Sequence, residues 1–522
     1  MQPPYSRTYF ELLREQAERH PDVPAVIAGD EHVTYADLAR RAGRVAAAMR
    51  DRGIRRGDAV GILINNRVEW LEIFFGAAAL GATVAPFSTW SKQGELDFLL
   101  ADSGVRSLFL LPRFGGQDFA ADVVALRASG RHPRLERVVM VGAPAEPGFE
   151  SYDDYCGGDP LIHLPPGDGA SASDTVVVLY TSGSSSRPKA VPLVHAAAIE
   201  NAFNIGERQG LGVGDRVLIS IPLFWSYGAV NALPAVLTHA ATLVLQGRFE
   251  PGGALDLIER HRCTALYTLP AMTNALVAHP AFAPARTSSL RTGVTIGAPQ
   301  DVITAAETLG ASRICNIYGS TETYGNCCVT DSRWPLDQRA RCQGEPLPGV
   351  AIRIRHAETG ELVPAGATGE VEVRGYLMPG YRGDSARHNA DVITADGWFR
   401  TGDLGHLDGE GRFHFAGRSS EMIKRSGINV SPAEVEEAIQ QHPAVGLAGV
   451  TGIADSGKGE AIVAYVVPKP GRDVTPEELL AHCRERLSGY KVPDVVRLAA
   501  ALPLTPTGKL MRRELRSMAE TA

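Results

Sequence analysis

The strongest constraint on this chain is a repeated alternation of helical and extended patterns in which the extended stretches are almost wholly apolar. From residue 34 the pattern predicts a helix over 35–50, a strand over 58–64, a helix over 68–80, a strand over 82–86, a helix over 94–101 and the strand VRSLFLL. The same texture returns at 175–180, 216–221, 240–246 and 265–269. Runs such as TVVVL and ATLVLQ have no polar face, so both of their faces must be covered. That is the signature of parallel strands buried beneath helices, and two doubly wound α/β layers follow from it.

After about residue 343 the texture changes to Gly- and Pro-punctuated segments, VAIRIR, GEVEVRG and GHLDGEGRFHFAGR, which read as antiparallel hairpins with a turn at Asp408-Gly409. The last hundred residues return to mixed helix and strand. Ser431-Pro-Ala-Glu434 and Thr475-Pro-Glu-Glu478 each combine an N-cap, Pro at the first helical position and Glu at the third, the pattern of a capping box.

With 52 Lys+Arg against 59 Asp+Glu the net charge is −7, which excludes a broad cationic field for nucleic acid or an anionic membrane. An anionic ligand must be gripped locally. Residues 217–247 carry no charge over 31 positions, yet Pro222, Gly228, Asn231, Pro234 and His239 break the run into a buried strand–loop–helix–strand unit rather than a membrane span. Seven cysteines without C-x-x-C spacing read as free thiols. Together with an N-terminus that shows no secretory pattern, they lead us to expect a cytoplasmic protein.

Four segments carry candidate chemistry. The loop Thr181-Ser182-Gly183-Ser184-Ser185-Ser186-Arg187-Pro188-Lys189 follows TVVVL and can wrap phosphate oxygens with N–H and O–H donors, or can be a plain solvated turn. It is not a Walker A loop, because Pro188 replaces the second glycine. Asn316-Ile-Tyr318-Gly319-Ser-Thr321-Glu322 at a strand end offers an aromatic for a base and a carboxylate for a hard cation, or equally a helix start. Asp403 between glycines, with Arg418 further on, suits ribose hydroxyls or an ordinary turn. Near the C-terminus a Pro/Gly loop presents Lys509.

Taken together, in this order and spacing, these segments resemble the superfamily of adenylate-forming enzymes, specifically its acyl- and aryl-CoA synthetase branch. His195, Gly297-Ala298-Pro299, Gly344-Glu-Pro, Gly369-Glu370, Gly380-Tyr381 and the run 418–436 extend the resemblance over nearly the whole chain. The fold it implies has a large N-terminal domain of two doubly wound α/β subdomains plus a small β-barrel-like subdomain, followed by a small mobile α+β C-terminal domain. The boundary falls between 1–418, which binds acid and ATP, and 419–522, the lid that carries the catalytic lysine. The activity it implies is attack of a carboxylate on the ATP α-phosphate to give acyl-AMP and pyrophosphate, then displacement of AMP by a thiol.

By the same resemblance, Thr181, Ser182, Gly183, Ser184, Ser185, Ser186 and Lys189 would hold the β- and γ-phosphates. Gly297, Ala298, Asn316, Tyr318 and Gly319 would line the adenine site, and Asp403 and Arg418 would take the ribose. Glu322 would bind Mg²⁺ and Thr321 would hydrogen-bond the reacting oxygens. Lys509 would counter the charge that develops between carboxylate and phosphate. Glu421 would be the hinge, and Ser426-Gly427 would border the thiol tunnel. Lys424 and Lys491 are candidate contacts to the coenzyme A nucleotide.

Two departures stand out: Ser186 and Ala190 replace family glycines, so strain would follow if either backbone needed a positive φ. Trp225 stands where many relatives carry a gating His, and Ser226 stands where amino-acid-activating relatives carry Asp. A pocket of Trp225, Ser226, Tyr227, Val230, Thr295, Ile296 and Gly319 is apolar and uncharged, which suits an aryl, alicyclic, bulky natural-product or medium-chain aliphatic acid. The expected partners are this acid, ATP and CoA. Alternatives are a stand-alone adenylating enzyme that loads carrier-protein phosphopantetheine or passes acyl-AMP to a partner transferase, a luciferase-like oxidation, and an inactive nucleotide-binding regulator. The sequence leaves the oligomeric state open, with a homodimer allowed.

Overall fold

A computed structural model describes residues 3–161, 169–181, 188–425, 428–455, 458–505 and 510–521. Two large sheets share one helical filling. The seven-stranded sheet runs in the order Lys189–Val194, Thr175–Thr181, Thr83–Pro86, Ala59–Leu63, Ser107–Leu110, Arg137–Met140 and Glu150–Ser151. All its neighbours are parallel except the first pair, a hairpin. The nine-stranded sheet has a parallel centre, Cys315–Tyr318, Thr292–Thr295, Ala265–Tyr267, Arg216–Ile219, Thr242–Leu245 and Pro24–Ala28, with antiparallel strands at both edges.

These are the apolar runs that needed cover on both faces. Between the sheets, helices Tyr35–Asp51, Val68–Ala79, His195–Gln209 and Leu233–Thr238 contribute to a single buried core that also takes in Val60 and Ile62 of one sheet and Val217 and Ile219 of the other. Trp70 stacks on Phe74 at 5.1 Å within it. Residues 217–247 fold as anticipated into strand, π-helix Tyr227–Ala232, helix and strand. Among the described residues no helix is long and apolar enough to cross a membrane.

What the sequence reads as a barrel-like subdomain takes the form of an open four-stranded antiparallel meander, Ala351–Arg355, Gly369–Arg374, Phe399–Leu407 and Phe413–Arg418. A small C-terminal domain follows, with a five-stranded sheet built on the long hairpin Val445–Asp455 and Gly459–Pro468. Its two expected caps differ. Thr475 and Glu478 form the reciprocal box, Thr475 N donating to Glu478 Oε2 at 2.8 Å. Ser431 accepts from Glu434 N, but the Glu434 side chain is drawn away to Lys491 Nζ at 2.5 Å.

Candidate active site

The candidate residues gather where the C-terminal ends of the strands meet, the usual location of a site in open α/β sheets. Thr181 closes Thr175–Thr181 and pairs across the hairpin with Lys189, the first residue of the returning strand. Ser182, Gly183, Ser184, Ser185 and Ser186 lie outside the described residues. Ala190 is buried in that returning strand, pairs with Tyr180 and has no positive φ, so its methyl group adds no backbone strain.

Glu322 follows the strand end at Tyr318 in a short 3-10 turn, Thr321–Thr323. Its carboxylate is oriented from a distant segment: Tyr381 Oη donates to Glu322 Oε1 at 2.8 Å, and Met378 N donates to Glu322 O at 2.8 Å. The same Tyr381 ring carries Lys189 Nζ 5.0 Å from its centroid, within cation–π range. Tyr381 is only 5% exposed; burial, and then the charge of Glu322, push its hydroxyl pKa up and keep it a donor. The turn ends at Tyr324 with φ 58°, a left-handed conformation costly for a bulky residue; its hydroxyl accepts from Val194 N at 3.0 Å.

A second cluster surrounds Asp403. Tyr318 packs against Phe413 at 4.3 Å and donates through its hydroxyl to Asp403 Oδ2 at 2.8 Å. Asp403 Oδ1 is buried and accepts no hydrogen bond among the described residues, while Arg418 Nε lies 3.3 Å from it as an ion pair. Burial raises the Asp403 pKa against the pull of Arg418 and Tyr318. A buried carboxylate oxygen that is ion-paired but accepts no hydrogen bond suits a hydroxyl donor. Asn316, fully buried, donates to Cys342 O at 3.1 Å and Gly297 O at 3.4 Å, so it holds the Gly297 turn. A Cβ on Gly297 would stand 2.6 Å from Asp301, whose carboxylate accepts from Ala298 N and is pushed up to about 6 by burial.

Thr321 Oγ1 donates to Ser226 Oγ at 3.0 Å, joining the phosphate-side turn to the expected acid pocket. Tyr227 is anchored by its hydroxyl to Val294 O at 3.0 Å, Val230 is fully buried, and Ile296 is 40% exposed. Gly319 is required by space, since a Cβ there would meet Gly325 O at 2.4 Å. Trp225 packs edge-on against Trp90 at 5.2 Å. Both line a cavity of about 370 Å³ together with Phe114, Phe224, Met272 and Thr505 of the C-terminal domain.

In the C-terminal domain Glu421 Oε2 accepts from Arg512 Nε at 2.7 Å, and the same guanidinium grips Glu436 with two bonds of 2.5 and 2.9 Å. Burial holds the Glu436 pKa up despite this cation. Burial also works to lower Arg512, but the two carboxylates outweigh it and raise its pKa. Lys509, Ser426 and Gly427 lie outside the described residues.

Sequence reasoning missed the roles of Tyr381, Asp301, Trp90 and Arg512. Tyr381 appears in the sequence only as part of a Gly-Tyr pair, and nothing local indicates that it reaches Glu322, 59 positions earlier.

Comparison with known proteins settles the family. Residues 13–382 match the AMP-binding enzyme family and residues 434–509 match the AMP-binding enzyme C-terminal domain. The chain belongs to the AMP-binding enzymes. It is 35% identical to feruloyl-CoA synthase of an Amycolatopsis species, covering 96% of this chain and 97% of the relative. It is 34% identical to indoleacetate–CoA ligase of Aromatoleum aromaticum, covering 97% and 98%. Among solved structures, the anthranilate CoA ligase AuaEII in complex with anthranoyl-AMP superposes with a TM-score of 0.89 at 28% identity, covering 99% of this chain and 98% of that one. The resemblance to the acyl- and aryl-CoA synthetase branch of the adenylate-forming enzymes is thereby borne out, as is the large and small two-domain α/β fold.

Proposed function

We propose that this member of the AMP-binding family is an acid–CoA ligase that forms acyl-AMP from ATP and a carboxylic acid and then the CoA thioester. The observation that carries this reading is the chain Lys189–Tyr381–Glu322, which sets one cation and one carboxylate on either side of a single phenol, beside the Thr321–Ser226 contact. Lys189 takes the outer phosphates with the hydroxyl-rich loop, and Asp403 receives the ribose hydroxyls on its unbonded Oδ1 with Arg418 beside it. Glu322 Oε2 has no partner among the described residues, and a hard anionic oxygen of this kind fits Mg²⁺. When bound, that ion supplies charge compensation to the phosphate oxygens.

Thr321 positions the acid carboxylate and the α-phosphate for in-line attack. The carboxylate oxygen bonds to phosphorus as the bond to the pyrophosphate oxygen breaks. Repulsion between the two anions dominates this barrier, so a cation in a water-poor site is worth most there. Lys509 is assigned that task by its sequence position. The domain division at 418/419, Glu421 as the pivot and Ser426-Gly427 at the thiol path complete the assignment.

The cavity beside Trp225 is the proposed route for the thiol arm. Arg248 at its edge is exposed and makes no ion pair among the described residues, so it is a better partner for the CoA phosphates than Lys491, which Glu434 engages. Similarity to feruloyl-CoA synthase, indoleacetate–CoA ligase and the anthranilate ligase supports an aryl acid as substrate. The seven cysteines, all free thiols, suit a reducing cytoplasm.

The test is mass spectrometry of reactions with ATP, Mg²⁺ and a panel of aryl, alicyclic, fatty and terpenoid acids, with and without CoA. Acyl-CoA appearing only with CoA is the expected result. Acyl-AMP that CoA never consumes would replace the ligase reading with that of an adenylating enzyme serving a carrier protein.

A further inference from the structure

The π-helix Tyr227–Ala232 carries an anomaly. Asn231 is fully buried, yet neither its Nδ2 nor its Oδ1 makes a hydrogen bond among the described residues. Buried side-chain amides are nearly always paired, and leaving such a group unpaired is costly. π-helical turns themselves recur at functional sites.

The position of Asn231 supplies the explanation. Two segments, 226–232 and 319–326, meet at Ser226 Oγ and Thr321 Oγ1, where the acid carboxylate is proposed to react. They meet again five residues further along the helix, roughly 7 Å on at about 1.5 Å per residue. There the Asn231 amide lies against Gly325: a Cβ at Gly325, whose φ is +91°, would stand 3.0 Å from Asn231 Nδ2. The nearby polar groups give Asn231 no relief. The Tyr227 hydroxyl is committed to Val294 O and Thr268 O. Asn326, next to Gly325 in the chain, likewise has a buried Nδ2 with no hydrogen-bond partner among the described residues.

We propose that Asn231 is a specificity-determining residue that reads a hydroxyl group on the acid. A hydroxyl can donate to Oδ1 while accepting from Nδ2, so one substituent satisfies both atoms. An acid seated with its carboxylate at Thr321 and its body along the seam presents that hydroxyl on the ring or chain roughly 7 Å from the carboxylate. It adds one uncharged polar group to the apolar, uncharged pocket expected from sequence. The inference rests on the acid-activating reading above and narrows it to hydroxylated acids.

The experiment uses the full chain and matched pairs that differ by one hydroxyl: 4-hydroxycinnamate and cinnamate, 4-hydroxyphenylacetate and phenylacetate, 8-hydroxyoctanoate and octanoate. Adenylation is followed by trapping acyl-AMP with hydroxylamine. In at least one pair the hydroxylated acid should be favoured by roughly 10- to 100-fold in kcat/KM. Asn231→Leu, with the same number of side-chain heavy atoms, should bring that ratio to within about threefold, mainly through KM, while the melting temperature holds or rises because an unpaired amide has been removed. Asn231→Ser should retain part of the preference, and it keeps the test alive if the leucine variant fails to fold.

Equal use of both members of every pair by the wild type would overturn the inference while leaving acid activation intact. So would an unchanged ratio in both variants, or equal impairment of both members with a lowered melting temperature, the mark of an amide that only holds buried water. Adenylation of no acid in any pair or in the wider panel would remove the acid-activating reading itself.

Discussion

Tyr381→Phe isolates one hydrogen bond in the proposed machinery. The substitution removes the hydroxyl that donates to Glu322 Oε1 at 2.8 Å but keeps the ring that lies 5.0 Å from Lys189 Nζ. Hydrogen bonds to charged groups contribute about 1.5–3 kcal/mol net. Tyr381 is buried while Glu322 is part-exposed, so water recovers some of the loss on the carboxylate side. We take about 1.5–2 kcal/mol, or roughly ten- to thirtyfold, on any equilibrium that needs Glu322 in its held orientation. The Mg²⁺ concentration for half-maximal pyrophosphate release, at saturating ATP and acid, should rise by that factor, whereas KM for the acid should move by less than about twofold. Mn²⁺ affinity of the enzyme bound to a non-hydrolysable ATP analogue, measured by electron paramagnetic resonance, should fall in parallel without turnover. Unchanged metal dependence in both assays, or an acid KM that rises as much as the metal constant, would refute the assignment of Tyr381 as the residue that positions Glu322.

Lys509→Ala should lower acyl-AMP formation by at least about 10²-fold, while conversion of supplied acyl-AMP to acyl-CoA stays near the wild-type rate; rapid-quench assays of the two half-reactions decide this. Arg512→Ala leaves the buried Glu436 carboxylate without its cation, a loss of about 3–5 kcal/mol. Because the pKa of Glu436 is already raised, the loss should be smallest at low pH and grow as pH rises, as seen by urea denaturation monitored in the C-terminal domain. Asp301, pushed up from 3.8 to about 6, binds its proton more tightly when folded, so its contribution to stability is lost as pH rises from about 4 to 6. Asp301→Asn keeps an acceptor for Ala298 N and should match wild type near pH 4 but be more stable by up to about 3 kcal/mol at pH 7.5, read from urea midpoints.

The fold was legible wherever one strand or helix carried its whole pattern. TVVVL and the runs at 216–221 and 240–246 needed cover on both faces and received it, and residues 217–247 divide into strand, helix and strand, with Pro222 between the first strand and the helix while Pro234 is absorbed into the continuous helical stretch 227–238. Local patterns failed where a distant residue competed. Glu434 satisfies the capping-box rule in sequence, but Lys491, 57 positions away, claims its carboxylate. The meander at 351–418 alternates as a barrel wall would, and whether its outer strands pair is not encoded in any one of them.

The candidate site divides in the same way. Asp403, Glu322 and Thr321 could be chosen because the segments that hold them resemble, in order and spacing, those of a known family; each segment alone left an ordinary turn or helix start open. Tyr381 and Arg512 could not, because a phenol or guanidinium acquires its role only when the fold delivers a carboxylate to it. Asn231 looked like a break in an apolar run, and the proposal for it came only from its full burial with no hydrogen bond to its amide among the described residues.

A protein that joins a carboxylate to the α-phosphate of ATP, as proposed, releases pyrophosphate reversibly. Acid-dependent exchange of radiolabelled pyrophosphate into ATP, without CoA, tests that step alone. The expected exchange requires both Mg²⁺ and the acid, is strongest with a hydroxylated aryl acid, and falls at least about 10²-fold in Lys509→Ala. Exchange that ignores the acid, or survives in full without Lys509, would contradict the proposal.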